Sequence, residues 1–88
     1  MYPAVKEVEP GTDYTLILTF SNGDVRKFDM KPYLGRGVFQ ELKDVSRFNT
    51  VRISFDSIEW DNEADMDPEV LYKYSENMLP LGDSRKAS

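Results

Sequence analysis

Neither cysteine nor histidine occurs in the 88-residue chain. Their absence excludes thiol and imidazole nucleophiles or bases, the usual zinc sites, thiolate-held iron–sulfur clusters, disulfides and histidine-based pH switching. Basic residues are outnumbered: 11 Lys+Arg stand against 16 Asp+Glu, a net charge of -5. Broad phosphate-backbone binding draws its affinity from clustered Lys and Arg, so no direct nucleic-acid contact is expected. Long apolar runs are missing too. Stretches such as Leu16-Ile17-Leu18 and Val70-Leu71-Tyr72 fall far short of the roughly 20 residues that span a bilayer. Met1 to Lys6 shows no basic segment leading into an apolar run, so no secretory leader is expected. The expectation is a cytoplasmic protein with no membrane association, no cofactor and no metal.

What is present suits one small packed domain. Independent domains usually need on the order of 100 residues, and five Phe, five Tyr and one Trp supply large buried surfaces at this length. Tyr2 to Val8, flanked by Pro3 and Pro10, reads as an edge strand. Tyr14 to Phe20, then Asn22-Gly23, then Asp24 to Met30 is the strongest local signal, a β-hairpin. A two-residue loop would place Lys27 and Asp29 on the apolar face. A loop one residue longer, with Gly23 left-handed, instead aligns Leu18 with Phe28 and Leu16 with Met30, and is preferred because a one-residue slip exchanges the two faces. Ile17 then points to the other face, with Thr15, Thr19 and Lys27 in water.

Lys31 to Gly35 is predicted to form a proline-initiated turn, and Val38 to Lys43 a short helix with Phe39, Leu42 and, at its start, Val38 inward. Val51-Arg52-Ile53-Ser54-Phe55 alternates. A two-residue loop at Asp56-Ser57 would pair Phe55 with Ile58 and Ile53 with Trp60. Asp67 is a suitable N-cap for a last helix, with Pro68 in its first position and Glu69 in its first turn, and Val70, Leu71 and Tyr74 form its buried stripe. Residues 1–75 are expected to be the folded domain and 76–88 a disordered tail.

Glu59, Asp61, Glu63, Asp65, Asp67 and Glu69 place an acid at every second position. A calcium-binding EF-hand loop starting at Asp61 is excluded, because its sixth position is Met66 and its twelfth is Tyr72. The run reads first as a solvated strand end with a helix cap. A weak cation site and a recognition patch are the alternatives. Paired carboxylates and a lysine-activated serine are the enzymatic readings, and neither has a substrate cleft behind it. Arg26, Lys27 and Lys31 read as a solvated sheet edge that resists strand addition. Trp60 reads as core, whereas Tyr33 stands between packing and display at an interface.

Pro3-Ala4-Val5 with Val8-Glu9-Pro10, then Asp13 to Phe20 with Asn22-Gly23-Asp24 and Phe28-Asp29, then Pro32-Tyr33-Leu34 with Phe39 to Asp44, and last Ile58-Glu59-Trp60 with Asn62, Asp65, Pro68-Glu69 and Leu71-Tyr72 occur here in that order. In that order and spacing, over about residues 3 to 75, the chain resembles the small bacterial family catalogued as domain of unknown function 2442. The resemblance implies a compact α+β fold, no established enzyme activity, and frequent encoding beside another small protein, as in toxin–antitoxin pairs. Some longer relatives carry a helix-turn-helix domain, and none is expected among the residues after Tyr74. The family often has proline and glycine where this chain has Asp61 and Glu63, and the resemblance supplies no catalytic residue.

The expected fold is α+β in two layers: an antiparallel-rich sheet of about five strands, from an N-terminal strand and two hairpins, with two short helices. The expected function is a protein-interaction module, the neutralising or regulatory partner of a small basic protein, with contacts at Pro32, Tyr33 and Leu34 and at Asp61, Asn62, Glu63, Asp65 and Glu69. The alternatives are a ligand-sensing or regulatory homo-oligomer and, behind it, a small-molecule enzyme.

Overall fold

The computed structural model describes residues 2–78. Strands β1 (Val5–Pro10), β2 (Thr15–Phe20), β3 (Val25–Asp29) and β7 (Glu76–Asn77) form a four-stranded antiparallel sheet in the order β1-β2-β3-β7. Strands β4 (Arg52–Ser54), β5 (Ser57–Glu59) and β6 (Asp65–Met66) form a second sheet in the order β4-β5-β6. Two 3₁₀ segments, Lys31–Tyr33 and Gly37–Lys43, and two short helices, α1 (Val45–Phe48) and α2 (Pro68–Lys73), complete the α+β fold. Leu16, Leu18 and Phe20 of β2, Phe28 of β3, Leu42, Phe48, Ile58, Trp60 and Leu71 meet in one continuous core.

Two sheets replace the single five-stranded sheet expected. The free edge of β3 is occupied by β7, with Arg26 opposite Asn77 and Lys27 opposite Glu76. Among the described residues the second hairpin meets the first sheet through one backbone hydrogen bond, Val5 N–H to the Asp56 carbonyl at 2.9 Å. Glu76 and Asn77 carry the fold past residue 75, the expected boundary. The rest of the expected tail, from residue 79 on, lies outside the described residues. Helix α2 begins as expected: the Asp67 carboxylate accepts from Glu69 N–H at 2.9 Å, and Pro68 takes the first turn. Its stripe is shorter, because Tyr74 is the C-cap residue and is 63% exposed.

The first hairpin keeps the expected faces and corrects the expected pairing. Leu16 lies opposite Phe28 and Leu18 opposite Arg26, two residues from the alignment preferred above. A slip of two leaves inward residues inward, so alternation alone does not distinguish the two alignments. Gly23 is left-handed (φ 91°) and closes a three-residue loop, with Gly23 N–H donating to Phe20 C=O at 2.9 Å and Phe20 N–H to Asp24 C=O at 2.8 Å. Thr15 is buried rather than wet, its hydroxyl donating to the Thr12 carbonyl at 2.7 Å. The β1–β2 turn places both Asp13 (φ 56°) and Tyr14 (φ 61°) in the left-handed region. Tyr14 is anchored there by its phenol, which donates to the Lys43 carbonyl, and by its edge-on contact with Phe48 at 5.4 Å.

The turn after Trp60 repeats the loop after Phe20. Glu63 N–H donates to Trp60 C=O at 3.0 Å and Trp60 N–H to Ala64 C=O at 2.8 Å, with Asn62, like Asn22, accepting from the backbone N–H two residues on. Glu63 (φ 71°) occupies the position that Gly23 occupies in the first loop. A left-handed non-glycine residue costs about 1–2 kcal/mol, of which glycine's own chain entropy returns about 0.5–1. Glu63→Gly is therefore expected to raise the melting temperature by about 2–8 °C in calorimetry, and an unchanged or lower value would refute the strain at this turn.

Candidate functional site

The two surfaces expected from sequence differ in what they offer. Pro32 is exposed on its 3₁₀ turn, but Leu34 is buried and cannot meet a partner from there. Tyr33 is half-buried and stacks on Phe28 (5.6 Å, 26° between rings), with the Arg36 guanidinium 5.5 Å from its ring centre. Asn62 is engaged internally: its amide donates to Glu41 Oε1 at 3.0 Å and to the Val38 carbonyl at 3.4 Å, clipping the β5–β6 turn to the 3₁₀ segment. Asp61 lies 3.8 Å from Arg47. Asp65, Glu63 and Glu69 are exposed. Among the described residues no group of three acids is placed to hold a metal ion, and no helix is long and apolar enough to cross a membrane.

The cluster expected from Arg26, Lys27 and Lys31 is dispersed. Lys31 binds Asp29 and Asp13 at 3.1 and 3.2 Å, and these two carboxylates raise its pKa. Arg26 lies half-buried opposite Leu18, on the face that Phe28 shares in either alignment. Its guanidinium lies 4.2 Å from the centre of the Tyr72 ring and donates to the Ser75 carbonyl at 3.1 Å. The Tyr72 hydroxyl donates to Asp24 Oδ2 at 2.6 Å, and Asn22 donates to the same carboxylate at 3.3 Å. The tyrosine hydrogen bond lowers the Asp24 pKa; partial burial opposes it, while Asn22 and Arg26 add to the lowering. The group fastens α2 to the first hairpin.

Strand pairing in the second hairpin creates a surface that the alternating pattern conceals. Ile53 lies opposite Ile58 and Ser54 opposite Ser57, two residues from the expected pairing, so the turn is Phe55-Asp56. Phe55 moves from the expected core to the tip, with φ at 55° and 98% of its surface exposed. Leaving a phenylalanine in water forgoes about 1.5–3 kcal/mol of burial, and the backbone conformation adds strain. No glycine or asparagine marks the turn in Ile53 to Ile58, so the sequence carries little signal for its position. Phe55 borders a cleft of about 500 Å³. Ile58, Met66 and Pro68 give it an apolar lining, and Asp56, Asp65 and Asp67 give it acids. Of the acidic run, Asp65 and Asp67 thus stand beside an exposed aromatic, whereas Pro32 to Leu34 do not line this cleft.

A family model, described as a protein of unknown function (DUF2442), matches residues 5–77. No curated protein and no solved structure matches the chain.

Proposed function

We propose, from the premise that this chain belongs to the DUF2442 family, that it is a protein-interaction module and acts as the neutralising or regulatory partner of a small protein encoded beside it. The observation that carries this reading is Phe55, 98% exposed at a hairpin tip. Positions that break local rules without a packing gain are where function is sought, and aromatics ringed by polar groups are typical anchors of protein interfaces. Without histidine or cysteine, the chain is read as a binding protein rather than an enzyme, working in the cytoplasm.

Phe55→Gly separates binding from folding, since it removes the ring and suits the left-handed backbone. Co-expressed with the product of the adjacent gene, the wild type is expected to co-purify with that product. Phe55→Gly is expected to lose it by tenfold or more while melting no lower than the wild type. Retention of the partner by Phe55→Gly overturns the assignment of the surface, and recovery of the wild type only with itself overturns the paired-module reading.

A further inference from the structure

The cleft beside Phe55 has the charge of one kind of occupant, and we infer that it takes a basic peptide segment carrying one apolar anchor residue, an inference that rests on the interface reading above. Ile58, Met66 and Pro68 provide a floor for an aliphatic or aromatic side chain next to the Phe55 ring. Asp56, Asp65 and Asp67 line the same cleft, and no Lys or Arg does. Among the described residues the carboxylates of Asp56 and Asp65 have no ion pair or hydrogen bond, whereas Asp67 uses one oxygen to cap α2. Asp65 also stands directly opposite Glu59 across the β5–β6 pair. Glu59 is already paired with Arg52 at 3.3 Å, which leaves Asp65 as the unpaired acid of the two.

A second copy of this chain is the poorer occupant. It would bring the same three acids to the contact, on a molecule of net charge -5, and like-charge juxtaposition opposes docking. Nucleic acid is excluded by the same sign. A Lys or Arg side chain satisfies both halves of the cleft, laying its methylene stem on the apolar floor and its charge among the carboxylates.

The test is selection from a random 12-residue peptide library displayed on phage, using the wild-type protein with counter-selection on Phe55→Gly. Recovered peptides are expected to carry Lys or Arg within a few residues of a Leu, Met or aromatic. A synthetic copy is expected to lose about tenfold in affinity both in the Asp56→Asn, Asp65→Asn double variant and on raising salt from ~50 to ~500 mM, where exposed charges are screened. Peptides that depend on Phe55 but are neutral or acidic, or that ignore salt and the double variant, overturn this inference and leave the interface reading standing. No Phe55-dependent peptide overturns both.

Discussion

Trp60→Ala is expected to lower the melting temperature by about 12–40 °C. The indole is fully buried. It packs on Phe39 and Phe48 at 6.2 and 6.1 Å, and its Nε1–H donates to the Phe48 carbonyl at 2.9 Å. Truncating a buried tryptophan to alanine costs about 3–5 kcal/mol, and each kcal/mol moves the melting point of a domain this small by about 4–8 °C. A chain of this length has only roughly 4–13 kcal/mol in total. The carbonyl left without its donor adds to the loss. Trp60→Phe keeps most of the ring and gives up the hydrogen bond, so about 1–3 kcal/mol is expected. Thermal melts followed by circular dichroism distinguish the two, and an alanine variant melting within about 5 °C of the wild type would contradict the central place given to Trp60.

Tyr72→Ala is the second large loss, about 3 kcal/mol, because one side chain joins three elements. Its ring meets Phe20 at 4.9 Å and Tyr2 at 5.9 Å, carries the Arg26 guanidinium, and its hydroxyl holds Asp24. Tyr72→Phe isolates the hydroxyl and is expected to cost about 1–2 kcal/mol. The Asp24 pKa is lowered from its ordinary 3.8 in the folded protein. Its contribution is therefore fully present above about pH 4 and is lost as pH falls through the lower folded value. Urea melts of wild type and Tyr72→Phe should differ at neutral pH and converge as the pH falls below the lowered folded-state value of Asp24. A gap independent of pH would mean that the hydroxyl does not act through the carboxylate.

How far the residues alone predict this molecule depends on which kind of signal each element carries. Asp67-Pro68-Glu69 names its own helix start, since cap, proline and acid each have one favoured place. Asn22-Gly23 names its turn for a similar reason. The alternating strands convey which residues share a face but not the offset of the pairing, so both hairpins are displaced by two residues from the expected alignment; the first keeps its apolar face inward, whereas in the second Ile58 and Trp60 stay in the core and Ile53 is 38% exposed. That displacement carries Phe55 out of the core and hides the candidate site from a reading by pattern. Glu76 and Asn77 show no strand propensity, and their pairing comes from the open edge of β3, a tertiary opportunity rather than a local preference. Of the expected contact residues, Asp65 remains at the cleft, Leu34 is buried and Asn62 is tied to Glu41. The acidity of the segment was legible; the aromatic it surrounds was not.

The two-residue strand β7 has a consequence for solubility. Its pairing with Arg26 and Lys27 of β3, extended by Met78 N–H to the Val25 carbonyl at 2.9 Å, covers backbone groups that another chain could otherwise pair with. So short a cover opens without the core melting. Fraying at Glu76–Asn77 then exposes this edge before global unfolding does, and a substitution that leaves the melting point untouched but weakens this pairing is expected to shorten the shelf life of a concentrated solution.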